Sequence, residues 1–180
     1  LVKITESLNK YQFAEALNLT EDFFWNYFTD NYIELVKNRR INGSPIESLS
    51  ASTTLILILE NILKLFAPFV PMITDEIWSI MHPDKKSIHL QNWPQEIDID
   101  FNNTSSHEFE VAKESIASIR KEKTSNEIGL GKEVEKITIT VNKEKIDALN
   151  QVLGDVQDAA RANNLVLNSS KENNGIKSEI

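Results

Sequence analysis

The chain contains no cysteine. That excludes a disulfide framework, a thiolate nucleophile and any metal site built on sulfur, and it fits a reducing compartment. Glycine and proline are scarce, five of each in 180 residues, too few for a fibrous or low-complexity chain. A glycine-rich phosphate loop is also missing. Gly129 and Gly131 flank Leu130 without the Lys-Ser/Thr of a nucleotide-binding loop, so they read as a bend between helix and strand. Positive charge is in deficit, with 19 basic residues against 27 acidic ones and a formal charge of −8. Most of that deficit lies before residue 104, and neither half carries the general positive field of a non-specific nucleic-acid binder. Any RNA contact must therefore rest on a local basic patch. The longest apolar stretch, 55–73, is broken by Glu60, Asn61, Lys64, Pro68 and Pro71, so no membrane span or membrane partner is expected. No signal peptide opens the chain, and a cytoplasmic location is expected. Because it starts at Leu1 in mid-pattern, it is expected to be a piece of a longer protein.

What is present is helical periodicity. Between residues 11 and 40 there is no proline or glycine, and Phe13, Leu17, Phe24, Phe28, Tyr32 and Leu35 recur at helical spacing. A second apolar face makes this a central helix of a bundle, ended by the turn residues Asn42-Gly43-Ser44-Pro45. Residues 46–66 predict a second long helix and 71–81 a third, with Pro71 in its first turn. Residues 82–104 lack helical period; Ile88-His89-Leu90 and Trp93-Pro94 suggest an extended strap over the bundle. A fourth helix is expected from residue 105 to about Lys123, with Phe109, Ala112, Ile116 and Ile119 inward. From Val134 to Val141 the pattern alternates as in a half-buried strand. Short helices to about Asn163 and a strand at Leu165-Val166-Leu167 follow. The expected fold is mainly α: a helical bundle over 1–124, a small α+β appendage over 125–168, and a frayed tail over 169–180.

Catalytic machinery is not evident. His82, His89 and His107 stand at no metal-binding spacing, and Asp98 and Asp100 in a polar loop read as solvated acids rather than a general acid–base pair. No metal site and no catalytic residue are expected. Two basic clusters remain. Lys37-Asn38-Arg39-Arg40 closes the first long helix, with no acid between Leu35 and Ile46. Arg120, Lys121 and Lys123 close the fourth helix. Each cluster has two readings, compensation of a helix C-terminal dipole or contact with RNA phosphates and unstacked bases.

Several of these residues, taken in order, resemble the anticodon-binding helical domain of class I aminoacyl-tRNA synthetases, most like the valyl branch, with the isoleucyl and leucyl branches as alternatives. Asp22-Phe23-Phe24-Trp25 and Asp30-Asn31-Tyr32-Ile33-Glu34-Leu35-Val36-Lys37 look like that family's Phe-x-Trp and Asp-x-Tyr-Ile-Glu-x-x-Lys helix. The segment from Ala67 to Trp78 looks like its Ala-Pro-Phe-x-Pro-x-Ile-Thr-Glu-Glu-Ile-Trp sequence, with Asp75 where Glu is commoner. Ser87-Ile88-His89, Trp93-Pro94 and Ile119-Arg120 resemble the strap and helix that follow. The resemblance implies a domain that positions the anticodon stem-loop of a tRNA. Lys37, Asn38, Arg39, Arg40, Arg120, Lys121 and Lys123 are the candidate contacts. The family's His-Ile-Gly-His and Lys-Met-Ser-Lys-Ser signatures do not occur here, so the resemblance assigns ATP and the ligation of the amino acid to a separate catalytic domain, a further expected partner, with no cofactor in this piece. Trp25, Phe69 and Trp78 are expected as core or interhelix anchors rather than base-stacking residues. The competing class is a helical protein–protein interaction module.

Overall fold

The computed structural model describes residues 1–95, 104–170 and 175–180; Asp98 and Asp100 lie outside the described residues. The protein is mainly α with a small sheet toward its C-terminus. It divides into two compact units, Leu1–Ile33 with Ser44–Ile99, and Glu34–Gly43 with Asp100–Ile180.

The first unit contains α1 (Val2–Asn9), α2 (Phe13–Asp22), a π-helical stretch (Phe23–Ile33), α4 (Pro45–Phe66), α5 (Pro71–Met81) and a 3₁₀ turn (Ile88–Leu90). Helix α4 starts where the turn chemistry predicts. Ser44 Oγ accepts from Glu47 N at 3.4 Å, Glu47 Oε2 accepts from Ser44 N at 2.8 Å, and Pro45 occupies the first turn; this is a capping box with its donors satisfied in both directions. At 22 residues, α4 is long and apolar enough by length and composition to cross a membrane. Its Glu60 meets His82 Nε2 at 2.8 Å, and its Leu63 joins Ala67, Trp78 and Ile88 in a buried cluster.

The π-helical stretch departs from the 3.6-residue period projected from Phe13. Eleven residues dense in aromatic rings adopt the wider spiral, and Asn31 Nδ2 donates to the Asn26 carbonyl at 2.6 Å, five residues back. The wider spiral changes side-chain directions locally, yet Phe28 and Leu35 are buried as the helical spacing predicts. Phe24 meets Phe66 edge-on at 5.6 Å, but Trp25, expected as a core or interhelix anchor, is 55% exposed. Trp78 is buried as expected, its indole N–H donating to Lys86 O at 3.1 Å, and Phe69 is partly buried. Ile88–Leu90, expected as extended strap, forms a 3₁₀ turn because the Asp75 carboxylate gathers Ser87 Oγ at 2.7 Å and Ile88 N at 2.9 Å.

The second unit comprises α3 (Glu34–Asn42), α6 (Thr104–Ser125), β1 (Val134–Asn142), α7 (Lys143–Gln151), α8 (Leu153–Ala160), β2 (Ala162–Ser170) and β3 (Lys177–Glu179). The sheet order is β2-β1-β3. Strands β1 and β2 run parallel, with Ile137 opposite Leu165 and Ile139 opposite Leu167, and α7 and α8 make the crossover that parallel pairing needs. One core joins Leu35 of α3, Val111, Ala112, Ile116 and Ile119 of α6, and the inward side chains of β1, α7 and α8.

This packing divides the chain differently from the expected boundary at 124/125. The apolar stripe of α6 serves the same core as the sheet, so α6 belongs with the α+β part, as does α3. The expected frayed tail also differs. Strand β2 continues to Ser170, and Lys177–Glu179 pairs antiparallel with the second edge of β1, Ser178 opposite Ile139. Ser178 is buried and its hydroxyl lies 2.9 Å from that of Ser118. A Lys-Ser-Glu strand carries no apolar alternation, so its sequence offers no strand signal.

Asp75 yields a pH prediction. The Ser87 hydroxyl and the Ile88 amide, in that order, hold its carboxyl below the ordinary aspartate value. A depressed folded pKa contributes stability above the unfolded value of about 3.9 and loses it as pH falls through the folded one. Asp75→Asn should therefore lower the urea midpoint at neutral pH and flatten its fall below about pH 4. Identical acid limbs in the two proteins would disprove the tie.

Candidate nucleic-acid interface

Helix α3 carries the first basic cluster, and its surroundings sort the four residues. Leu35 anchors the helix in the core of the second unit. On the side toward α8, Arg39 Nη2 lies 3.2 Å from Asp155 Oδ2, and Asn38 Nδ2 donates to Asp158 Oδ2 at 2.7 Å. Asp155 and Asp158 stand one turn apart on α8, so adjacent residues of α3 can each meet a carboxylate. Asn42 Nδ2 in turn donates to Asn38 Oδ1 at 2.6 Å, leaving that amide held from both sides. Arg39 is thus half-buried and occupied in fastening α3 to α8.

Lys37 and Arg40 are exposed. Lys37 pairs with Glu34 at 3.3 Å, the i,i+3 contact that the spacing predicts. An exposed pair of this kind contributes little to stability and yields readily to a phosphate.

The second cluster does not assemble into one patch. Lys121 is exposed and Arg120 half-buried, but Lys123 is 1% exposed. Its ammonium donates to the carbonyls of Lys132 and Ala160, each at 2.7 Å, and of Leu130 at 3.3 Å. Burial first, and the nearby Arg161 guanidinium second, push its pKa below the ordinary lysine value. Lys123 is therefore corrected from a candidate RNA contact to an internal fastener, and Gly129-Leu130-Gly131 is the bend wrapped around it. A signal for this existed in the sequence. Ala112, Ile116, Ile119 and Lys123 follow one another at steps of four, three and four, so the lysine sits on the buried stripe.

Arg161 escaped the sequence reading because it stands alone beyond α8, without neighbours of like charge. The structure places it, exposed, on a groove of about 360 Å³ whose other walls include Lys37 and Asn38 of α3 and Asn163 of β2. All of these belong to the second unit. The histidines occupy separate settings. His82 pairs with Glu60, His89 Nε2 lies 3.2 Å from the Pro71 carbonyl, and His107 is exposed. Among the described residues, no three His, Asp or Glu side chains come together as a metal site.

Comparison with known proteins bears on this arrangement. Residues 1–139 match the family model of the anticodon-binding domain of tRNA ligase. Valine–tRNA ligase of Anaplasma marginale is 38% identical over 136 residues, covering 75% of this chain and 16% of the relative. The Methanothermobacter thermautotrophicus valine–tRNA ligase is 32% identical over 172 residues, 95% of this chain and 19% of the relative. That of Rickettsia prowazekii reaches 47% identity over 98 residues, 52% of this chain and 12% of the relative. The chain spans less than a fifth of the length of these relatives.

The two lysines of the second cluster make a paired prediction. Lys123→Met leaves the buried Ala160 carbonyl and the part-buried carbonyls of Leu130 and Lys132 without their donor and should cost about 2 kcal/mol of unfolding free energy. Lys121→Met, on the surface, should change it by less than about 0.5 kcal/mol. Urea denaturation measures both, and equal effects would refute the fastener.

Proposed function

Since this chain belongs to the anticodon-binding domains of tRNA ligases, we propose that it holds the anticodon stem-loop of a valine-accepting tRNA on behalf of a cytoplasmic valine–tRNA ligase. ATP use and the ligation itself fall to a catalytic domain not represented among these residues, and that domain is the second partner. The observation that carries the reading is the family match across residues 1–139, which takes in all of α3 and α6 and most of β1.

The overall charge of −8 repels RNA, so binding has to be local. Lys37 and Arg40, both exposed on α3, supply cations for phosphate. Lys121 is the exposed cation on α6, and Arg120 stands beside it, half-buried. Arg39 acts indirectly, holding α3 on α8 through Asp155.

The test is a tRNA titration over a salt series. Wild-type chain should bind a valine tRNA more tightly than an isoleucine or leucine tRNA, and all of these more tightly than an unrelated RNA. Preference for one of the other two tRNAs would reassign the amino acid, and no preference for tRNA would favour a protein-binding module. Lys37→Ala with Arg40→Ala should weaken binding across sequences. It should lower the slope of log affinity against log salt by about 0.7–0.9 per lost phosphate contact, while the melting temperature stays within about 2 °C. Arg39→Ala should instead lower the melting temperature measurably. An unchanged salt slope in the double variant would move the RNA surface away from α3.

A further inference from the structure

We propose that the groove between α3, α8 and the start of β2 receives one unstacked base of the bound RNA, with Arg161 as the side chain that contacts it; this rests on the tRNA-binding reading above.

Three features of Arg161 converge. It caps α8 in the left-handed region, at φ 52° and ψ 49°, where glycine is the ordinary residue because a side chain strains that backbone. Its guanidinium also lies close enough to the buried Lys123 ammonium to disfavour that charge. A cation after a helix C-terminus gains something from the dipole, but Lys123 already donates to the carbonyl of Ala160, the last residue of α8. So Arg161 strains the backbone and repels a buried charge, and it lies exposed on an open groove. Strained residues of this kind concentrate at ligand sites.

The composition of the groove selects the ligand. Its cations are Lys37 and Arg161, and its carboxylates Glu34, Glu133 and Asp158, so it does not suit a phosphate. The amides of Asn38, Gln157 and Asn163, with those carboxylates, offer the donors and acceptors that bond base edges. A guanidinium plane can stack on the base face. The walls are held in place beforehand, Asn38 by Asp158 at 2.7 Å and Gln157 by the Asn163 carbonyl at 3.2 Å, which reduces the ordering cost of binding. A volume of about 360 Å³ lies at the low end of small-molecule sites, fit for a base and too small for a duplex.

Arg161→Gly separates the two roles. With the left-handed backbone relieved and Lys123 freed of a like charge, its melting temperature should equal or exceed that of wild type. Its affinity for a valine-tRNA transcript, read by fluorescence anisotropy, should fall about ten-fold. The salt slope should change less than in the Lys37→Ala, Arg40→Ala double variant. Arg161→Asn, which also tolerates the left-handed backbone, should show the same loss. If wild type binds tRNA and both variants bind it equally well, the groove is not a base site and the tRNA reading stands. A slope reduced by one whole phosphate contact would overturn the base assignment. Failure of wild type to bind tRNA would overturn the underlying reading itself.

Discussion

The ammonium of Lys123 joins three segments: the end of α6, the 126–133 bend and the last residue of α8. Carbonyls at the end of a helix and in a loop need donors when water is excluded. A lysine on an apolar stripe brings a long stem that extends the hydrophobic surface of α6 and a head with three protons to give. It donates to the last carbonyl of α8, just before the chain turns left-handed at Arg161 and enters β2. The groove's exposed arginine stands one residue beyond that contact.

A second constraint acts through α3. This helix is short, and most of its residues are polar, yet it is held by Leu35 in the core and by two side-chain contacts to α8. The acids of α8 engage Asn38 and Arg39, so Lys37 and Arg40 remain at the surface. In a chain of net negative charge, carboxylates thereby serve two ends at once. They position the basic helix, and they engage the half-buried Arg39 together with the exposed Asn38.

Much of the architecture was legible in advance because local rules and tertiary needs agreed. The turn at Asn42–Pro45, the start of α5 at Pro71, the stripe of α6 and the alternation of β1 each follow from short-range stereochemistry or apolar periodicity. The misreadings arise where a local rule was extended past its range. Trp25 lies on neither apolar stripe of its helix, so its anchor role rests on the resemblance alone, and in the π-helical stretch it faces solvent. Basic residues were grouped by adjacency, although neighbours on a helix point about 100° apart. Adjacency therefore joined Lys121, on the surface, to Lys123, in the interior.

By itself, the sequence determined most of the helices, the strands β1 and β2, the family, and the absence from these residues of the family's two nucleotide-site signatures. These depend on residue identity and on spacing within a few turns. Tertiary structure alone decided which cations face solvent, that β3 completes the sheet, that α3 and α6 belong with the sheet, and that Arg161 shares a groove with Asn38. Those outcomes depend on contacts between residues such as Asn38 and Asp158, 120 positions apart. At that separation, periodicity carries no information about which side chain meets which. Only the closing of the core around Lys123 and Leu35 brings them into register.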